Sequence, residues 1–192
     1  MPPSIGARLP LRYGAVAQTL HWLTAVLVLA AFIYGPGGSE QRVYSAAREA
    51  QRRLHETLGI TVLTLVVLRV IWRSLDVRPK RELALRWMDW ASRAVHIALY
   101  VLLFAVPLTA ICGAWLEAHP LTFLGGVEVG PWLPESHDLG ARIAGIHTWL
   151  GDAILWMAGL HALAALVHHL VMRDDVLVSM LPRWFPLRRP TP

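Results

Sequence analysis

The sequence has a single cysteine in its 192 residues. Cys112 therefore cannot form an internal disulfide, and sites that need several thiolates, such as iron–sulfur clusters, are excluded. Cys112 lies within an apolar run, where a small buried hydrophobic side chain is the simplest interpretation.

The long apolar runs of this chain also lack two features. They contain no lysine, and their histidines have no second ligand at the spacing typical of a metal site. Without a lysine there, a retinal Schiff base is disfavoured. No carboxylate or second imidazole recurs four residues from a histidine within one run, which disfavours zinc. The sequence shows no low-complexity tract and no separate soluble domain.

The composition predicts a membrane protein. Hydrophobic residues make up 55% of the chain and the mean hydropathy is +0.45, which is more apolar than is usual for a soluble domain of this length. The net charge is +5 and the pI about 10.1. Because the charges flank the apolar runs and do not cluster on a soluble face, we expect no nucleic-acid partner.

Four apolar runs can cross a bilayer as helices. They cover residues 15–34, 57–72, 94–116 and 143–172. About 20 helical residues span the roughly 30 Å hydrocarbon core, so the second run has to extend into its flanks. Strict alternation is absent, which argues against a barrel. We predict an all-α membrane protein, a four-transmembrane-helix bundle forming one domain over 1–192, whose first run is a retained span although it resembles a signal peptide.

The distribution of positive charge predicts the orientation. Thirteen of the 18 Lys and Arg precede the first run, follow the last, or lie from Arg69, near the end of the second run, to Arg93 before the third. By the positive-inside rule both termini are cytoplasmic, and the connections 35–54 and 117–142 lie outside. Gly125, Gly126, Pro131 and Pro134 make the second outer connection rich in turns, with room for a short helix.

Seven of the nine histidines lie in or at the edge of the predicted spans. They are His21, His55, His96, His147, His161, His168 and His169. An imidazole buried in lipid is costly unless it has a partner. A hydrogen bond to a neighbouring helix would explain any one of them, but the whole set favours a shared cofactor.

The spacing of two histidines on the last span suits two stacked planar cofactors. His147 and His161 are fourteen residues apart, which places them within about 40° of one helix face and roughly 21 Å apart. An iron porphyrin is held from both faces, so each histidine needs a partner at its own depth. Depth and orientation pair His55 with His147 and His21 with His161.

Small residues follow these four histidines by one helical turn. The residues four positions on are Ala25, Gly59, Gly151 and Ala165. A ring bound to a helical histidine lies over a neighbouring turn, which therefore has to be small. Tyr100, Met172 and Arg173 follow the other three membrane histidines instead. Gly and Ala are also common in membrane helices for packing alone.

Arg69 lies fourteen residues after His55, at the cytoplasmic end of the same helix face. An arginine fork binds carboxylates in bidentate fashion, so Arg69 is a candidate for contact with haem propionates. Snorkelling towards the membrane surface explains it equally well.

These residues resemble the bacterial cytochrome b561 family, whose members are small four-helix, di-haem, quinone-linked cytochromes. The motifs are Arg12-Tyr13 before Gln18-x-x-His21-Trp22, His55-x-x-x-Gly59 with Arg69, His96-x-x-x-Tyr100 before Pro107, and Gly159-Leu-His161 through His168-His169. The ending, from Arg173-Asp-Asp to Pro182, is similar as well. The similarity runs nearly end to end.

The resemblance implies two b haems with bis-histidine iron in a multi-pass protein of the bacterial inner membrane. His21 and His161 would hold the cytoplasmic haem, and His55 and His147 the outer one. It also implies ubiquinone near the cytoplasmic end of the last helix, with His168 as its hydrogen-bond or proton partner. His96 would contact a propionate or the quinone.

The family resemblance leaves two electron donors open. In a superoxide oxidase, superoxide would give its electron at the outer face, and a basic cluster of Arg52, Arg53 and their neighbours would steer the anion. Intervening glutamates weaken that cluster. Alternatively, the chain exchanges electrons between quinone and a periplasmic redox protein that docks on the outer loop near Trp115 and Trp132.

A third hypothesis is a structural scaffold without a cofactor, which predicts a colourless protein. The sequence does not predict the oligomeric state.

Overall fold

Four long helices dominate the structure, a computed structural model that describes residues 12–76, 86–182 and 185. They are α1 (Ala15–Ile33), α3 (Glu49–Leu75), α4 (Arg86–Leu116) and α5 (His137–Leu170). All four are long and apolar enough to cross a membrane. The predicted all-α, four-helix membrane fold is confirmed. The cytoplasmic position of the termini stays a prediction, and most of the central connection lies outside the described residues.

Three helices begin earlier than the apolar runs predicted. A 3-10 helix, Ala46–Arg48, leads into α3, which starts at Glu49 and not near residue 57. α4 starts at Arg86 and α5 at His137. In α3 and α5 the added turns are polar, and ion pairs four residues apart, such as Arg52–Glu56 and Asp138–Arg142, stabilise them. The prediction that the second run extends into its flanks is confirmed, because polar turns lengthen the helix beyond its apolar part.

The helices pack as two close pairs, α4 along α5 and α1 along α3, and contacts of α3 with α4 and of α1 with α5 complete the bundle. The buried core is small and lies at mid-height, where Val62, Val66, Leu103 and Ile154 meet. Large apolar side chains such as Trp156 point outwards, 76% exposed. Such a surface is suited to lipid.

Two glycines let α4 and α5 approach closely. A Cβ built on Gly113 would lie 3.2 Å from the backbone nitrogen of Ala144, and one on Gly140 would lie 3.1 Å from the backbone nitrogen of Glu117. Small residues at helix crossings are typical of membrane bundles, because packing has to replace the hydrophobic effect there.

At one end of the bundle, which we call the hairpin end, two short strands pair between α4 and α5. β1 (Leu121–Thr122) and β2 (Glu128–Val129) are antiparallel, with Leu121 opposite Val129. Gly126 adopts φ +75° in the connecting turn, a conformation that glycine accepts without strain. A short helix α2 (Glu40–Val43) lies in the other connection. The connection 117–142, where the sequence left room for a short helix, contains these paired strands and the first turns of α5.

At the opposite, terminal end, the segment 176–182 is fastened to α1. We call this segment, which contains α6 (Val176–Met180), the C-terminal strap. The Gln18 side chain donates to the carbonyls of Ser179 and Leu181, both at 3.1 Å, and Trp22 Nε1 donates to that of Met180 at 2.8 Å. These donors satisfy carbonyls that a short helix leaves unpaired.

The close α4–α5 approach yields a stability prediction. Replacing Gly113 by valine should lower the free energy of unfolding by about 1 to 3 kcal/mol, because the added atoms collide with the α5 backbone. Thermal unfolding in detergent measures the effect. Gly145→Val is the control, since a Cβ there meets no atom within 4 Å. Equal losses in the two variants would contradict the close-approach explanation.

Candidate functional site

At the hairpin end, His55 on α3 faces His147 on α5. Their ring centroids are 6.0 Å apart and the planes are nearly perpendicular, at 82°. His55 Nδ1 lies 2.8 Å from the carbonyl oxygen of Ala31, and His147 Nδ1 lies 2.8 Å from that of Val106. Because a carbonyl only accepts, each Nδ1 carries the proton and each Nε2 keeps a lone pair. Both rings are thus oriented as metal ligands.

The two carbonyls differ in how they are available. Ala31 is in the last turn of α1, and the Gly35 N–H that would normally reach its carbonyl bonds to Phe32 instead, at 3.2 Å. Val106 lies inside α4, and its carbonyl also accepts the Thr109 hydroxyl at 2.9 Å; a carbonyl oxygen has two lone pairs and can accept more than one donor. Each histidine therefore uses a main-chain acceptor from a neighbouring helix.

At the terminal end, His161 on α5 has two imidazole neighbours. The ring centroid of His21 on α1 lies 6.3 Å away, with the planes at 83°, and that of His96 on α4 lies 5.2 Å away. The Nδ1 of His96 bonds to the carbonyl of Ser92 in its own helix, at 2.6 Å. His21 Nδ1 is buried and has no hydrogen-bond partner among the described residues.

An apolar layer separates the two histidine pairs. Ile154 lies seven residues from both His147 and His161, and Val62 lies seven residues after His55. Both apolar side chains belong to the buried core. The two sites are thus stacked along the bundle with the packed core between them.

The turns that follow the hairpin-end histidines leave room beside them. Gly59 and Gly151 are half-buried, yet a Cβ on either would meet no atom within 4 Å. A Cβ on Gly113 or Gly140, in contrast, would lie 3.2 or 3.1 Å from a backbone nitrogen of the facing segment. A flat ring bound to His55 or His147 would therefore lie over a glycine without a clash.

Cations and N–H donors converge near the terminal-end site. The guanidinium carbons of Arg69 and Arg73 lie 5.5 and 5.4 Å from the ring centre of Tyr100 on α4. Trp72 Nε1 is buried and finds no acceptor within the described part of the chain. These groups fit carboxylates of a cofactor, as the sequence suggested for Arg69.

The structure places Arg52 and Arg53 in ion pairs, so they do not form a free basic cluster. Arg52 pairs with Glu56 at 2.9 Å and lies over the Tyr44 ring, and Arg53 pairs with Glu49. The Nε atoms of both arginines are nevertheless buried and have no partner among the described residues. Each guanidinium therefore keeps one donor for another group.

A polar cluster around Tyr44 was not found from the sequence. The Tyr44 ring stacks on His119 with centroids 3.5 Å apart, and His119 Nε2 lies 2.9 Å from a Glu40 carboxylate oxygen. Burial raises the pKa of Tyr44, and the nearby carboxylates of Glu56 and Glu117 add to the shift. No local pattern signals this cluster, because its members come from separate connections.

Near the terminal-end site, His168 has a carboxylate partner that the sequence did not indicate. Its Nδ1 lies 2.5 Å from Oδ2 of Asp174, in the turn after α5. The His168 side chain is 18% exposed, so it remains accessible at this end of the bundle. The Asp-Asp pair that follows the helix was the available signal.

Comparisons with known proteins agree on one family. The family description "Prokaryotic cytochrome b561" matches residues 12–183. Cytochrome b561 homolog 2 of Escherichia coli (strain K12) is 30% identical, with 90% of this chain and 92% of that protein covered. The probable superoxide oxidase CybB of Yersinia pestis is 27% identical, at 90% and 97% coverage. Cytochrome b562 of Cereibacter sphaeroides is 29% identical, at 88% and 94% coverage.

The ion pairs at the hairpin end yield a second stability prediction. Glu56 accepts from both Arg52 and the Thr122 N–H, so Glu56→Ala leaves two buried donors unpaired and should cost about 2 to 3 kcal/mol. Glu49→Ala is the matched control, because its pair is more exposed, 47% at Glu49, and should cost less than about 1 kcal/mol. Chemical unfolding in detergent compares them. A larger loss for Glu49→Ala would contradict this assignment.

Proposed function

The chain belongs to the prokaryotic cytochrome b561 family of haem b-binding membrane electron-transfer proteins, and from this premise we propose that it is a superoxide:ubiquinone oxidoreductase with two b haems. The single domain lies in a bacterial inner membrane. Its termini are cytoplasmic and its hairpin end faces the periplasm. Electrons enter at the hairpin end and leave to ubiquinone at the terminal end.

The distances between the facing rings carry the two-haem proposal. If the two imidazoles of a pair held one metal ion between them, their ring centroids would be about 6 Å apart, given metal–nitrogen bonds of about 2 Å and about 1.1 Å from nitrogen to centroid. The measured separations are 6.0 Å for His55–His147 and 6.3 Å for His21–His161. The 5.2 Å between His96 and His161 is too short for that arrangement. His96 is therefore assigned to propionate or quinone contact.

The haem iron supplies a reversible one-electron couple, and the protein residues orient and insulate it. The carbonyl bonds at Nδ1 of His55 and His147 fix the rings and make Nε2 more basic. Val62 and Ile154 keep water out of the layer between the sites. Gly59 and Gly151 leave space for the outer ring.

At the terminal end, Arg69 is placed to hold the haem carboxylates and His168 to serve the quinone. Reduction of ubiquinone consumes two electrons and two protons. Two superoxide ions supply the electrons and become O2, while the protons come from the cytoplasmic side through His168. Charge and atoms balance for two superoxide ions per quinone.

Superoxide as the donor is supported by the arginines beside the hairpin-end site. Arg52 lies three residues before His55, and the buried Nε donors of Arg52 and Arg53 suit a small anion. A relative covering nearly the whole chain is named a probable superoxide oxidase.

A periplasmic redox protein is the second candidate donor. The connection 117–142 carries Trp132, which is 73% exposed and lies beside Trp115. An exposed aromatic side chain at this end suits docking of a protein partner.

The haem assignment predicts that His147→Ala and His55→Ala each lose one haem and keep the other. Removing one axial ligand opens only the site at its own depth. The pyridine haemochrome absorbance per polypeptide measures the loss, and His137→Ala, an exposed histidine, should keep two haems. Two haems in either ligand variant would refute the pairing.

The donor assignment predicts ubiquinone reduction by enzymatically generated superoxide with purified protein. Arg52→Gln and Arg53→Gln should each slow it about fivefold, equivalent to ~1 kcal/mol for a lost donor, whereas Arg142→Gln should not change it. Added superoxide dismutase should abolish the reaction. If superoxide reduces ubiquinone no faster with the purified protein than with a haem-free control, the donor is not superoxide.

A further inference from the structure

The chain folds back after α5 so that Asp174 meets His168 twice. The Asp174 N–H donates to the carbonyl of His168 at 3.1 Å, and the His168 Nδ1–H donates to the Asp174 carboxylate at 2.5 Å. Arg173, between them, adopts φ +53°, which is rare for a residue with a Cβ and needs support from its surroundings. The turn therefore holds the side-chain pair in one geometry.

The second carboxylate oxygen of Asp174 also accepts a hydrogen bond. Its Oδ1 accepts the N–H of Val176 at 2.9 Å, at the start of α6. A carboxylate bound at both oxygens has little freedom to rotate away from the imidazole. Its orientation is thus set by the backbone on one side and by His168 on the other.

The C-terminal strap keeps this turn in position. Gln18 and Trp22 on α1 bond to the carbonyls of Ser179, Met180 and Leu181, and the Tyr13 N–H donates to Ser179 at 3.1 Å. These bonds hold α6 against α1, and Asp174, two residues before α6 begins, stays against His168.

A carboxylate on Nδ1–H fixes the tautomer of an imidazole. The lone pair is then on Nε2, and the negative charge stabilises the ring when Nε2 takes up a proton. His168 lies seven residues after His161, so two helical turns, about 10 Å, separate it from the terminal-end pair on nearly the same face.

We propose that Asp174 is a positioning residue that holds His168 with Nε2 ready to deliver a proton to ubiquinone. This rests on the proposed quinone site at the terminal end. Nε2 first takes up a proton from water on the cytoplasmic side and then gives it to the quinone oxygen as the quinone is reduced; water supplies the next proton in the same way. Asp174 touches no substrate.

The test separates haem reduction from haem reoxidation in stopped flow. Haem pre-reduced with a stoichiometric amount of dithionite is mixed with decylubiquinone. Asp174→Asn should slow reoxidation tenfold or more at saturating quinone with little change in half-saturation, and Asp174→Glu should recover most of the rate. Asp138→Asn, an exposed carboxylate at the hairpin end, should leave it unchanged.

A double-mutant cycle distinguishes positioning from folding. Because Asp174 acts through His168, Asp174→Asn should have no further effect in a His168→Ala background. A readout without turnover is the Nδ1 proton of His168 in 15N-histidine-labelled protein, a downfield signal that is missing in His168→Ala and should move upfield in Asp174→Asn.

The outcomes distinguish failure of the Asp174 proposal from failure of the proposed function on which it rests. If wild-type haem is not reoxidised by the quinone, the proposed function fails and the role of Asp174 fails with it. If the wild type is reoxidised and Asp174→Asn equally fast, only the role of Asp174 is overturned. A slow Asp174→Asn whose defect persists in the His168→Ala background also overturns it, since the residue then acts through the fold.

Discussion

A buried imidazole nitrogen without a partner is costly in a membrane bundle, and the partners of the histidines tie the helices of this protein together. His55 and His147 donate from Nδ1 to main-chain carbonyls of α1 and α4, so each Nε2 keeps its lone pair, and the two ring centroids lie 6.0 Å apart. α5 contributes a histidine to both pairs, and α1 and α3 contribute one each. Every long helix is therefore positioned by at least one histidine contact.

Residues spaced seven apart on α3 and α5 arrange the histidine contacts in layers along the bundle. His147, Ile154, His161 and His168 follow one another at that interval on α5, and His55, Val62 and Arg69 do so on α3. Seven residues make nearly two turns and about 10.5 Å of rise. The result along the bundle is a histidine pair, an apolar layer, a second pair, and then His168 with its carboxylate. A one-residue insertion would rotate every later layer by about 100°.

The sequence was sufficient to predict the four long helices. Depth within the runs also placed His55 opposite His147 and His21 opposite His161, but it did not indicate the closer contact of His96 with His161. Apolar runs alone do not mark the helix ends, because Arg and Glu extend α3 beyond its apolar part. The pairing of Arg52 with Glu56 and of Arg53 with Glu49 was readable from the four-residue spacing, and the glutamates were expected to weaken the basic cluster, although these pairs were not assigned.

Contacts between distant segments could not be predicted in the same way. Tyr44 meets His119, and Gln18 meets Ser179, only because four helices bring the connections together. Asp174 is close to His168 in sequence, yet its role depends on a turn with positive φ at Arg173. That conformation is unfavourable in isolation, and nothing in the local sequence demands it.

Polar contacts hold both ends of the bundle together, because a lipid environment provides little hydrophobic driving force for helix packing. Lipid tails are as apolar as leucine, so burying side chains between helices yields little driving force, and the core here is a few residues at mid-height. Hydrogen bonds in an apolar environment have no water to compete with them. Glu56 holding Thr122 at one end, and Gln18 holding the C-terminal strap at the other, therefore fix the helices along their axes. A shift by one turn would separate both histidine pairs at once, so the register that these end contacts maintain is a condition for any cofactor to be held from two sides.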